Sequence, residues 1–366
     1  MNFGIPKEVR PLEFRVGLAP AAVDSLVRAG HKVLVEHDAG IHAGFGDEDY
    51  RQAGAQVVYA AKEAYGRADV VVKVGRPAEE EYKFFQPYQT ILSFLHLAVA
   101  SPDLVMVLEK EKITSIGYET ILKDDGTLPL LSPTSEIAGR MSPIIAGDLM
   151  GSFKGGRGIL LNGIPGVPPA AVVVIGAGVL GFNATRAFHN FGAEVTVLDH
   201  DLEALQKIDL FFDGKISTLY ANPHNILKAM KFADVLIASA AVPGGKAPVL
   251  ISREMLKSMR KRAIVLDLAI NSGGNLETSR PTNLANPSFV EEDVIHYCVP
   301  NVPSRVARTG SYAISNSILP YLLRCAELGI KNAIEEIIEL RRGVNTIEGK
   351  LVHHGVAKAI GQIAED

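Results

Sequence analysis

Short β-branched apolar runs alternate along the chain with stretches whose apolar residues recur at helical spacing, a pattern that predicts parallel sheets with helices on both faces. It opens with a strand from Asn2 to Pro6, a helix from Pro20 to Ala29 with proline in its first turn, and a strand from His31 to Glu36. Asp69 to Val74, Thr90 to Leu95 and Ile113 to Tyr118 follow as compact apolar runs of the kind buried on both faces. A helical stretch from Ser135 to Ser152 then meets Gly155 to Pro169, too rich in glycine and proline for the interior of an element. Beyond this link the alternation resumes, with strands at Ala170 to Ile175, Glu194 to Leu198, Val235 to Ala238 and Ala263 to Ala269, and it ends around Pro300 to Thr309. Ser317 to Leu340 has apolar residues at helical spacing and is expected to return to the first domain. The reading is an α/β protein of two Rossmann-like, doubly wound parallel-sheet domains with a cleft between them, residues 1–134 plus 310–366 forming one and residues 135–309 the other.

Length agrees with two cores, since 366 residues exceed what one usually serves. A net charge of −4 offers no basic field for a nucleic-acid backbone, which argues against that partner. Met1 to Glu8 lacks a basic segment followed by an apolar one, and no run approaches the ~18 apolar residues of a membrane span, so a cytoplasmic protein without membrane contact is expected. The two cysteines, Cys298 and Cys325, have no ligand-spaced neighbours; they read as small buried side chains in a reducing compartment, with no metal.

The strand Ala170 to Ile175 runs into Gly176-Ala177-Gly178-Val179-Leu180-Gly181, with a helix expected from Phe182 to Phe191. This is G-x-G-x-x-G in the context a dinucleotide requires: Gly176 permits the tight turn, Gly178 lets a pyrophosphate approach the backbone, and Gly181 lets helix pack on strand. The next strand ends at Asp199, where a carboxylate would accept hydrogen bonds from both ribose hydroxyls and repel a 2′-phosphate, so the expected cofactor is NAD rather than NADP.

In the first domain, Lys73, His96 and Glu119 fall at or just past the ends of three successive strands, where open parallel sheets bind ligands, and Arg15 lies in the loop after the first strand. The set suits oxidation of an α-amino acid. Arg15 offers a fork for a carboxylate, Lys73 a compact cation for a carboxylate or developing carbonyl oxygen, and His96 an imidazole to exchange protons as an imine forms and hydrolyses. Each also has a simpler place, with Lys73 as a solvated surface charge, His96 as a structural histidine and Arg15 as the partner of Glu13.

Over nearly its whole length the chain resembles alanine dehydrogenases and the related N-terminal part of proton-translocating transhydrogenases. The resemblance is carried by Gly4-Ile5-Pro6-Lys7-Glu8, Glu13-Phe14-Arg15-Val16, Phe94-Leu95-His96-Leu97-Ala98, Tyr118-Glu119-Thr120, Ser135-Glu136-Ile137-Ala138-Gly139-Arg140, Gly163-Ile164-Pro165-Gly166-Val167 and Ser279-Arg280-Pro281-Thr282. It implies NAD-dependent interconversion of L-alanine with pyruvate and ammonia by a homohexamer. By the same resemblance Arg15, Lys73, Glu119, Leu131 and Thr134 would contact substrate, and His96 would be the acid/base. Ser135, Gly176, Gly178, Val179, Leu180, Gly181, Asp199, Ala241, Asn271, Val299, Asn301 and Val302 would hold the cofactor.

Three departures gather on the substrate side. The family's Lys-Val-Lys-Glu-Pro reads Lys73-Val74-Gly75-Arg76-Pro77, a methionine before Ser-Glu is Thr134, and a catalytic aspartate is Asn271, which cannot carry a proton or a negative charge at neutral pH. They keep two alternatives open: a diverged amino-acid dehydrogenase or imine reductase acting on another α-amino or α-keto acid, and an NAD-binding subunit with no chemistry of its own.

Overall fold

The structure, a computed structural model, describes residues 1–100, 102–242 and 245–365. Its chain separates into two compact units, one formed by residues 1–134 and 303–366 and the other by residues 135–242 and 246–302.

The first unit begins with six strands, β1 (Asn2–Ile5), β2 (Lys32–Glu36), β3 (Gln56–Val58), β4 (Val70–Gly75), β5 (Thr90–Phe94) and β6 (Thr114–Gly117). They pair in parallel in the order β3-β2-β1-β4-β5-β6. The order reverses between β1 and β4, and such a switch point opens a crevice at the carboxyl ends of the strands. β4 shows why these residues make a central strand. Val70, Val72 and Val74 enter one apolar cluster with Phe3 and Ile5, and Val71 enters the cluster on the opposite face with Tyr65 and Ile91. The strand's period of two puts Lys73 on the Val71 face.

The second unit contains β7 (Ala171–Ile175), β8 (Glu194–Asp199), β9 (Ser217–Tyr220), β10 (Val235–Ala238), β11 (Ile264–Asp267), β12 (Ser288–Glu291) and β13 (Val294–Tyr297). Its order is β9-β8-β7-β10-β11-β13-β12, parallel except for β12, so the same switch recurs between β7 and β10. The chain then returns through helices Ala307–Leu328, Ile330–Glu336 and Ile338–Gly343, whose Ile314, Ile318, Leu322 and Leu340 join the first unit's core. Two short antiparallel strands, β14 (Val344–Ile347) and β15 (Lys350–Leu351), extend the first sheet beyond β6.

The doubly wound α/β reading therefore holds in both units, with differences that have physical causes. β3, β9, β12, β14 and β15 lie at or near sheet edges, short and in part exposed, and carry too little apolar signal to be read from sequence, while β13 is buried but only four residues long. The second boundary falls at residue 302/303 rather than 309/310. The reason is a set of buried serines: the Ser304, Ser311 and Ser315 hydroxyls accept the N–H groups of Phe14, Val16 and Ala19 at 2.8, 3.0 and 2.7 Å, stitching this returning segment to the loop after β1. Among the described residues no helix is long and apolar enough to cross a membrane.

Candidate active site

His96 lies two residues past the end of β5 and adopts a left-handed backbone conformation, φ 45° and ψ 45°, costly for a residue with a Cβ. Two features hold it there. Its N–H donates to Glu119 Oε1 at 2.7 Å, while Glu119 Oε2 accepts the N–H of Leu95 at 3.2 Å. Its ring lies nearly parallel to that of Phe94, 13° between planes, on one side of a half-buried position. Burial holds the imidazole below its ordinary pKa; the nearby Glu119 charge opposes this, and the Arg76 and Arg15 charges reinforce it. His96 is thus neutral at pH 7, the form that accepts a proton. Glu119, buried and committed to two backbone donors, positions His96 and has no free role as a substrate ligand.

Arg15 is held by Glu13 through two parallel bonds, Nε to Oε1 at 2.7 Å and Nη2 to Oε2 at 2.6 Å. The simpler place considered for it is therefore occupied, but the pairing also aims the guanidinium and leaves Nη1 outside the fork. Gly310 makes room for it: a Cβ there would lie 2.8 Å from Arg15 Cδ. Neither Gly310 nor the three serines carries a local motif, and only their return against residues 12–19 reveals them.

Lys73 requires a correction. It has no exposed surface, and its ammonium lies 3.1 Å from Glu8 and 2.8 Å from Glu81, both buried. Glu8 Oε1 also accepts the N–H of Val74, and Glu81 accepts the Tyr65 hydroxyl and the N–H of Ala78. An ammonium compensated by two carboxylates inside the β4 face is an internal tie and does not contact substrate. Leu131 and Thr134 open the helix Leu131–Met150. The Thr134 hydroxyl donates to Leu131 O at 2.8 Å, so the residue is smaller than a methionine without offering a free proton.

In the second unit the glycine loop has the geometry a diphosphate needs. Gly176 has φ +102°, open to glycine at little cost, and a Cβ on Gly181 would sit 1.7 Å from Gly176 O. A Cβ on Gly178 would meet nothing within 4 Å, so the space in front of this backbone is clear. The helix starts at Val179, three residues earlier than expected, which brings Gly181 into its first turn and leaves the Val179 and Leu180 N–H groups free of intrahelical partners. Asp199 ends β8 and reaches back to the loop, accepting the N–H of Ala177 at 2.6 Å and that of Asp201 at 2.8 Å. These residues fit a dinucleotide diphosphate and ribose.

Residues 4–138 match the alanine dehydrogenase/PNT N-terminal domain, and residues 142–354 match the C-terminal domain of the same family. The chain belongs to the alanine dehydrogenase/PNT family. It is 44% identical to an alanine dehydrogenase of Methanococcus maripaludis over 98% of this chain and 96% of that one. An alanine dehydrogenase of Mycobacterium tuberculosis is 42% identical over 99% of this chain and 97% of that one. Among solved structures, an L-alanine dehydrogenase superposes with a TM-score of 0.91 at 42% identity, covering 99% of each chain. A transhydrogenase from Sinorhizobium meliloti gives 0.79 at 25% identity, covering 96% of this chain and 99% of that one.

For this alanine dehydrogenase/PNT chain the departure at Asn271 has a structural consequence. Asn271 lies in a short turn, Ile270–Ser272, and its Nδ2 donates to Pro300 O at 2.7 Å, a bond no ionised aspartate can make. Asp267 is occupied elsewhere, accepting from Ala269 N, Asn275 N and Ser279 Oγ. The buried Asn275, which no motif signals, bonds both the N–H and the carbonyl of Ala240 and so fixes the backbone beside the exposed Ala241. Val299 and Val302 are corrected in part, since both side chains pack in the core and only their backbone is available to a ligand. Ser135 and Asn301 are half-buried. Cys298 and Cys325 are free and buried, and burial pushes both thiols up to about 12, so neither is a nucleophile near neutral pH.

Proposed function

We propose that this chain is an NAD-dependent amino-acid dehydrogenase that interconverts L-alanine and water with pyruvate and ammonia. The observation that carries the proposal is the full-length similarity to alanine dehydrogenases together with a neutral imidazole, His96, set in a cationic neighbourhood past the carboxyl end of β5, one strand from the β1/β4 switch point. When bound, NAD takes up the hydride lost from the substrate Cα. Gly176, Gly178 and Gly181 with the Val179 and Leu180 N–H groups would hold its diphosphate, Asp199 its adenosine ribose, and Ser135, Ala241, Asn271 and the backbone of Val299, Asn301 and Val302 the remainder. His96 accepts a proton from the substrate amine as the imine forms, then manages the water that adds to it, so that one proton, ammonia and pyruvate leave. Arg15, oriented by Glu13, faces the substrate carboxylate with its free edge.

Asn271 and the Gly75-Arg76 pair favour a second reading, the same chemistry on a different α-amino or α-keto acid. A panel decides: NADH formation from a set of amino acids, and NADH or NADPH consumption with keto acids plus ammonia. Highest kcat/KM for alanine with NAD supports the first reading, and another substrate far above alanine replaces it. Turnover of none, with NADH still bound, leaves a nucleotide-binding subunit. We further propose a cytoplasmic homohexamer, which sedimentation of the purified chain tests.

A further inference from the structure

Removing Lys73 from the substrate side leaves the question of which second cation meets the substrate carboxylate beside Arg15. Arg15 is paired with Glu13 and has only its free edge to offer. Arg76 is not neutralised: it follows β4 at the carboxyl end of the strand, half-buried, and among the described residues its guanidinium has no hydrogen-bonded or ion-paired partner. Its charge nevertheless acts on His96; burial first and the Arg10 charge next hold its own pKa below the ordinary value, against the smaller opposing influence of Tyr82, Glu119 and Asp103. The backbone beneath it is held from outside the strand. Arg10 Nε donates to Arg76 O at 2.8 Å and Arg10 Nη2 to Pro77 O at 3.2 Å, and neither of these bonds neutralises a charge. Gly75, with no side chain, leaves Arg10 and Glu8 at van der Waals distance from the strand end, a Cβ there lying 3.6 Å from each. Two cations without carboxylate partners among the described residues, one of them partly withdrawn from water, form a place whose missing component is an anion.

We infer that Arg76 joins Arg15 in anchoring the substrate carboxylate beside His96 in this chain, with Arg10 bracing the backbone that carries it. The inference rests on the amino-acid dehydrogenase reading above, and it makes Arg76 a determinant of affinity for α-amino and α-keto acids. A planar guanidinium at this point can bind a carboxylate in two parallel hydrogen bonds, a geometry an ammonium cannot offer.

The test is Arg76→Ala and Arg76→Gln, the second keeping the bulk that packs at the strand end, with Arg76→Lys as the charge-preserving variant. Steady-state kinetics with pyruvate, ammonia and NADH are measured beside pyruvate binding to the chain by saturation-transfer NMR and NADH affinity by fluorescence. Loss of the anchor raises the pyruvate KM and dissociation constant roughly 10- to 100-fold in both neutral variants, the scale of a charge-assisted hydrogen bond, with NADH affinity unchanged and a large part recovered by lysine. A pyruvate KM and dissociation constant within twofold of the parent in either neutral variant overturns the inference, as does equal loss in the lysine variant. The two readings fail separately: if the parent turns over no amino acid yet binds pyruvate in an Arg76-dependent manner, the dehydrogenase reading falls and the anchor stands.

Discussion

Replacing Lys73 with alanine separates an internal tie from a substrate ligand. The substitution leaves the Glu8 and Glu81 carboxylates buried together without their shared counter-charge. Breaking a buried pair in this way costs about 3–5 kcal/mol, because the remaining charges stay out of water. The unit that contains them has about 200 residues, for which 1 kcal/mol moves Tm by roughly 2–4 °C, so Tm should fall by about 6–20 °C. Burial already raises the Glu8 pKa, and the Lys73 charge is the largest influence opposing that rise. Without the ammonium the folded-state pKa of Glu8 climbs further. A carboxyl whose folded pKa is raised contributes stability fully present below its unfolded value and loses it as pH rises through the folded one. The deficit of Lys73→Ala should therefore be smallest near pH 4.5 and grow toward neutrality. Thermal unfolding followed by circular dichroism from pH 4.5 to 8 measures it, and the triple variant Glu8→Gln, Lys73→Met, Glu81→Gln, carrying no buried charge there, should recover most of the loss. A Lys73→Ala protein that melts within about 3 °C of the parent (about 1 kcal/mol) while its pyruvate KM rises would refute the argument and return Lys73 to the substrate.

Because His96 lies below its ordinary pKa, the acid limb of kcat/KM for deamination should fall below pH 6.5. Glu119→Gln removes the charge that opposes this depression and one of two acceptors for buried N–H groups, so the limb should move further down and stability drop by about 1–3 kcal/mol; an unmoved limb contradicts the arrangement. Gly181→Ala places a Cβ 1.7 Å from Gly176 O and should weaken NADH binding by roughly tenfold or more, which fluorescence titration measures; unchanged affinity would mean that the dinucleotide lies elsewhere. Gly310→Ala pushes on Arg15 and Pro303 O and should cost about 1–3 kcal/mol while raising the substrate KM with NADH affinity intact, and a variant with parental stability and KM would remove Gly310 from the support of Arg15.

What could be read from sequence alone was what neighbours along the chain decide. The α/β class, the central strands such as Val70–Gly75 and Val235–Ala238, and the glycine loop followed by Asp199 all lie within short stretches whose apolar period or spacing is itself the signal. The placement of His96 and Glu119 just past the ends of two neighbouring parallel strands was legible for the same reason, though not the part each plays there. Tertiary structure alone decided how charges were shared. Lys73 and Arg76 are three residues apart, and sequence favoured the lysine. Glu8, arriving from the segment after β1, and Glu81, from the turn after β4, claim the lysine instead, while among the described residues no acid pairs with the arginine. A charge in a folded chain is governed by what lies within a few ångströms of it, and those neighbours are set by packing across distant segments, as when Gly310 and Ser311 return to hold the loop of Arg15.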